Sequence, residues 1–229
     1  AGSVLLGAVG AVRALRHPRP AVDLTLLRAR PTAVGNAALV MVSIVQYSVV
    51  LCLTLLLSEV WHYPPSMVGL ALTPGPIVTA VVSWAGGRWV QRFGPRPVVA
   101  VGTVVAIAAS VWFGLVVGPE PAYLSTLLPM LVFGFGGVWL AGMGLNTLAV
   151  SAVPPRRFGT AGALTMLSRT LGATIGIASL AVVLAVPTIA GFRLSWLAVA
   201  CCLVVVLGLM GLVRPEPHEA ALPAAGSTT

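Results

Sequence analysis

Long apolar runs without a charged residue alternate with short clusters of arginine along this chain. Charge-free runs occupy 31–58, 66–87, 97–118, 121–155 and 194–213, and a further run, 158–192, is interrupted only by Arg169. About 20 apolar residues in a helix cross a bilayer core of about 30 Å, so each run is long enough to cross once and none long enough to cross twice. In the fourth run, Pro129 and the glycine cluster GFGGVWLAGMG predict one kinked or tilted helix of about thirty residues. The pattern predicts an all-α, polytopic membrane protein with a bundle of six transmembrane helices over residues 31–213.

Composition agrees. Hydrophobic residues make up 58% of the 229 and charged residues 8%, against about 25% charged in a soluble domain. The basic excess, with a pI near 11.0, does not signal nucleic acid. A nucleic-acid binder gathers its basic residues on one face with aromatics between them, whereas these sit in short connections between apolar runs. Cys52, Cys201 and Cys202 all lie inside runs without metal-ligand spacing and read as small hydrophobes.

The arginines set an orientation. Arg13, Arg16, Arg19, Arg28 and Arg30 precede the first run; Arg88, Arg92 and Arg96 follow the second; Arg156 and Arg157 follow the fourth; Arg214 follows the sixth. The opposite connections hold Glu59, His62, Glu120 and one arginine, Arg193. By the positive-inside rule the arginine-rich side is cytoplasmic. Residues 13–30 then read as a cytoplasmic loop, and the Pro/Ala-rich segment 214–229 as a disordered cytoplasmic tail. Residues 1–12 open on Ala1 and carry an apolar stretch too short to span. They read as the end of a preceding, truncated membrane helix. Abundant Ala, Gly, Pro, Val and Arg without Lys suggests a G- and C-rich bacterial genome, hence a multi-pass protein of a bacterial inner (plasma) membrane. The first block of three helices starts inside and the second block starts outside, the 3+3 inverted arrangement of the kind secondary transporters use.

One connection carries a motif. GRWVQRFGPR, at 87–96, resembles a signature of the major facilitator superfamily, roughly G-x-L-A-D-R-x-G-R-R, found between the second and third helices of a six-helix half. Gly87, Arg92, Gly94 and Arg96 match it. Gln91 stands where the family has Asp and Trp89 where it has Leu, so any ion pair of that carboxylate is at most a neutral hydrogen bond here. PAVDLTLLRAR (20–30) resembles the cytoplasmic lead-in to the second half of the fourteen-helix drug/proton antiporter branch. YPPSMVGLALTPGP (63–76), with Pro74 and Pro76, resembles that branch's outer turn and proline-broken helix, and VPPRRFGTAGALTMLSRTLGATIGIA (153–178) its turn and penultimate helix. The resemblance covers about 13–214. It implies half of a major facilitator fold, the C-terminal six helices of such an exporter. The implied partners are a missing N-terminal half, the lipid bilayer, a small organic substrate and protons, with no cofactor and no nucleic acid.

It also assigns residues. In the family the 87–96 loop helps hold the cytoplasmic gate, which implies that role for Arg88, Arg92 and Arg96; topology anchoring is the other reading. Glycines flanking the loop let the second and third helices approach closely at a tight turn. Gly172 and Gly176 form a G-x-x-x-G pair, read as close packing or as a hinge between halves. Gln46 and Asn146 are amides in the first and fourth runs, equivalent helices of the repeat that line the family's cavity; a simple interhelical hydrogen bond is the alternative. Trp84, with Tyr47, Trp112 and Trp139, offers aromatic surface either to an apolar substrate or to lipid. Arg169 lies eleven residues past the preceding turn, about 16 Å along a helix. It either faces a cavity or gate or snorkels to the inner surface.

No Asp or Glu lies in the middle of any run. Proton coupling needs a titratable group at membrane depth, and Arg169 stays protonated, so the proton site is expected in the missing N-terminal part. There is no H-E-x-x-H, G-x-S-x-G or P-loop, hence no catalytic residue, no metal site and no enzyme. The expected function is the C-terminal half of a secondary-active, proton-coupled exporter of drug-like or other small organic molecules, working by alternating access. The alternative is a non-transporting membrane assembly subunit or residual half-protein without independent activity.

Overall fold

The computed structural model describes residues 30–151, 153–184 and 188–212. The expected helix end at 1–12, the loop 13–30 apart from its last residue, and the tail 214–229 lie outside the described residues. The rest is six long helices: α1 (Pro31–Val60), α2 (Pro65–Phe93), α3 (Pro95–Val116), α4 (Tyr123–Ser151), α5 (Phe158–Val183) and α6 (Ile189–Gly211). Each is long and apolar enough to cross a membrane. Among the described residues there is no strand.

Prolines mark where helices begin and where their regular pattern breaks. Pro65 and Pro95 sit in the first turns of α2 and α3, where the missing N–H has no partner to lose. Inside α2 the helix Pro65–Leu72 gives way at Thr73 to Pro74–Phe93. Pro74 and Pro76 donate no backbone bond there, yet Thr73 keeps helical angles (φ −54°, ψ −36°), so the helical path continues through the break. In α4, Pro129 lies between two wide π-helical turns, Tyr123–Leu127 and Met130–Phe135, before a regular α-helix from Gly136. The fourth run thus holds one helix of 29 residues, irregular around Pro129.

Helix ends differ from the charge-free runs. α2 continues past Gly87 to Phe93, and α6 starts at Ile189, ahead of Arg193. Absence of charge measures immersion in lipid. A helix stops only where its backbone must, here at Gly94 followed by Pro95.

The packing has an internal symmetry. α1 packs on α5, α4 and α6; α3 packs on α4 and α6; α2 packs on α4. Renaming α1 as α4, α2 as α5 and α3 as α6 maps this set of neighbours onto itself. A shift by three helices also reverses direction, so the bundle is a 3+3 inverted repeat, as expected of half a major facilitator fold. Lipid tails are as apolar as leucine, so such contacts rest on close packing and hydrogen bonds. Large side chains fill the centre: Leu53 and Leu56 of α1, Phe113 of α3, Leu131 and Leu145 of α4, and Phe192, Trp196 and Leu203 of α6 are all fully buried. The Phe113 and Trp196 rings meet at 4.7 Å. The outliers are α2 and α5, with only 11% and 22% of their apolar windows buried, against 39% or more for the other four.

Candidate transport cavity and arginine-rich turn

Four helices converge on one cavity of about 190 Å³, mostly apolar with a few polar side chains. Leu39, Val42, Ser43 and Gln46 come from one face of α1, at the three- and four-residue spacing that aligns side chains on a helix. Val138, Trp139, Gly142, Met143 and Asn146 come from one face of α4. Ser83 of α2 and Arg169 of α5 enter from the flanks, and α3 and α6 contribute no lining residue. The symmetry that exchanges α1 with α4 and α2 with α5 therefore passes through this cavity. A small annex beside Val49, Gly134 and Phe135 continues it away from the arginine-rich end. A separate depression of about 330 Å³, lined by Val105, Ala108, Trp112, Pro129 and Phe133, is almost wholly apolar.

Local bonds decide which polar atoms are spoken for. Trp139 donates its indole N–H to Ser83 Oγ at 2.6 Å, and Ser83 donates to the Thr79 carbonyl at 2.7 Å, joining α4 to α2. Asn146 Nδ2 donates to the Gly142 carbonyl at 2.9 Å, one turn back in its own helix, which leaves its side-chain oxygen for the cavity. Among the described residues, no hydrogen bond or ion pair reaches the side chains of Gln46 or Arg169.

The heading of Arg169 follows from its neighbours. Ser168, Gly172 and Gly176 recur every four residues and form the face of α5 that meets α1. Ser168 donates to Asn36 Oδ1 at 3.0 Å, and Ser48 donates to the Gly176 carbonyl at 3.1 Å. A Cβ on Gly172 would lie 2.7 Å from Ser43 Cβ, so only glycine permits this approach. Arg169 is one residue on from Ser168, about 100° around the helix, and this turns it from the α1 seam into the cavity.

The arginine-rich stretch is not a loop. α2 runs through it to Phe93, Gly94 turns the chain at φ +84°, and Pro95 begins α3. Arg88 lies over the Trp84 ring at 4.1 Å, one turn back, and Arg92 sits 5.4 Å from the Phe93 ring. Gln91 is exposed. Arg96 crosses to the end of α6, where Nη2 donates to the Met210 carbonyl at 3.3 Å. At the other end of the bundle Arg193 of α6 donates to the Val117 carbonyl at 3.3 Å, just past α3. Each member of this antiparallel pair thus supplies an arginine to the carbonyl end of the other.

Two expectations change. Gly87 has no neighbour where its Cβ would be; the close-packed glycine is Gly86, against Leu140 and Met143 of α4 rather than α3. Trp84 does not line the cavity: it lies on the exposed face of α2, 68% accessible, under Arg88. Trp139 is the aromatic residue that does. The cavity gathers Gln46, Asn146 and Arg169 and adds Ser83 and Met143, which sequence reasoning passed over. A serine or methionine inside an apolar run carries no distinguishing signal. Among the described residues no cluster of His, Cys, Asp or Glu could hold a metal.

An inverted repeat of six membrane helices around a cavity with polar groups at depth is an arrangement that secondary transporters use. Residues 5–177 match the model of the Major Facilitator Superfamily. The chain belongs to that family, a transporter family and not an enzyme family. It is similar to Multidrug resistance protein Stp of Mycobacterium tuberculosis, 33% identical over 172 residues, 74% of this chain and 31% of that protein. It is also similar to Multidrug export protein EmrB of Escherichia coli, 27% identical over 162 residues, 71% of this chain and 31% of the relative. Cephamycin export protein CmcT of Amycolatopsis lactamdurans is 30% identical over 148 residues, 64% of this chain and 30% of the relative. The chain spans about a third of the length of these relatives.

Proposed function

We propose that this six-helix unit is the C-terminal half of a secondary-active, proton-coupled exporter of small organic molecules, working by alternating access in a bacterial plasma membrane. The observation that carries the reading is the cavity. It gathers Gln46, Asn146 and Arg169 deep among apolar helices, on the side flanked by the two least-buried helices, α2 and α5. A second six-helix half, docked on those two helices, would close the pathway at the interface, where such carriers hold substrate. The names and greater length of the relatives support both parts of this reading.

Orientation follows from the arginines. Arg88, Arg92, Arg96, Arg156 and Arg157 gather at one end of the bundle, which we assign to the cytoplasm together with loop 13–30 and the C-terminus. There the Gly87–Arg96 stretch acts as part of the cytoplasmic gate, and the Gly172–Gly176 seam and the Pro74–Pro76 break are where helices shift during rocking. Coupling protons move through a carboxylate of the other half, because none lines this cavity.

The test is reconstitution. Proteoliposomes holding this chain alone should show no pH-gradient-driven uptake of an exported drug, and co-expression with an N-terminal half should restore it. Saturable, gradient-driven transport by the purified chain alone would overturn the half-transporter reading.

A further inference from the structure

Among the described residues, Arg169 is the one charged group that lines the cavity. Its guanidinium presents five N–H donors, and among the described residues it has no hydrogen bond and no ion pair. The carboxylates of the described residues are far away: Glu59 and Glu120 lie at the opposite end of the bundle, and Glu59 is thirteen residues from Gln46, about 20 Å along α1. A charge at this depth in an apolar bundle is stabilised by a group of opposite sign, a carbonyl or water. No group of opposite sign comes from α1, α2 or α4: their groups facing it are the neutral Ser43, Gln46, Ser83, Trp139 and Asn146.

We propose that the cavity is a subsite for an organic anion, a planar aromatic carboxylate or a similar acid. The carboxylate is held by the Arg169 fork and the free amide of Gln46, and its ring lies against Trp139 and Met143. This rests on reading the cavity as a transport pathway and names the substrate class that pathway accepts. Three features carry it. Guanidinium and carboxylate match as planar, bidentate partners. The Trp139 N–H is already committed to Ser83, so the indole offers its face rather than a donor. A volume of about 190 Å³ admits a one- or two-ring body, and most of the lining is apolar. A lipophilic cation of the same size finds no carboxylate here and is repelled by Arg169.

The experiment uses two probes of one shape and opposite charge, 2-naphthoate and 2-naphthamidinium. Each is equilibrated by dialysis with the purified full chain in lipid vesicles, and protein-free vesicles supply the blank. The expected result is saturable binding of 2-naphthoate and no binding of 2-naphthamidinium above the blank. Arg169→Gln should weaken 2-naphthoate at least tenfold, and Arg169→Lys should keep part of the affinity. Quenching of tryptophan emission by 2-naphthoate should shrink in Trp139→Phe, which places the probe without disturbing Arg169.

Equal binding of both ions, no saturable binding of 2-naphthoate, or unchanged affinity in Arg169→Gln would overturn the proposal. The last outcome would assign Arg169 to the membrane surface or to a carboxylate of the other half. Failure here is separable from failure of the transporter reading. Transport blocked by the cation and indifferent to the carboxylate sinks only the anion subsite. Arg169-dependent binding by the chain, with no gradient-driven transport even when an N-terminal half is co-expressed, sinks only the transporter.

Discussion

Gly172 and Gly176 decide where Arg169, the charge in the cavity among the described residues, points. By letting α1 and α5 touch, they fix the rotation of α5 and hence the heading of Arg169. Gly172→Val would press a branched side chain onto the Val40 carbonyl and Ser43 Cβ. Overpacking of this kind costs about 1–3 kcal/mol, so the purified variant should melt at lower temperature while Gly87→Ala, with open space at its Cβ, melts like the parent. A second residue-scale prediction concerns the turn. Gly94 holds φ +84°, a backbone region that β-branched residues avoid. If this turn works as a gate, Gly94→Val and Arg92→Ala should each abolish export by the complete transporter while expression and orientation persist. Normal export by both variants would leave the arginines as topology anchors, and Gln91→Asp, restoring the family residue, should be tolerated either way.

At the scale of elements, α3 and α6 are fastened at both ends, by Arg96 to the Met210 carbonyl and by Arg193 to the Val117 carbonyl. A cation on the carbonyl end of a helix is worth about 0.3–1 kcal/mol where it is partly exposed. Arg96→Ala and Arg193→Ala should each lower the melting temperature slightly. The double variant should show the sum, because the two sites lie at opposite ends of the bundle and share no partner. This role of Arg193 was hidden in the sequence, where it stood out only as the one basic residue on the wrong side. The six helices were legible because charge is so costly in lipid that its absence outlines every span. Their ends were less so: the arginine-bearing last turns of α2 stay helical out to Gly94. Gln46, Asn146 and Arg169 were legible as rare polar groups at depth. Choosing Trp139 over Trp84 needed the rotation of α2 about its axis, and no local signal encodes that.

At the scale of the whole molecule, α2 and α5 are the least covered of the described helices. Ile77, Val81 and Trp84 stand exposed along α2, and Met166, Ile175 and Ile177 along α5. Orientation can be tested directly in a background lacking Cys52, Cys201 and Cys202. Glu59→Cys and Glu120→Cys should react with an impermeant thiol reagent in intact cells, and Gln91→Cys only after permeabilisation; the reverse pattern would invert the assignment. The one-residue connection at Gly94 bears on biosynthesis. With no slack between them, α2 and α3 enter the bilayer as a hairpin, and neither can flip after synthesis without dragging the other through. A short epitope inserted after Gly94 would release that tether, and mixed topologies should then appear among newly made chains.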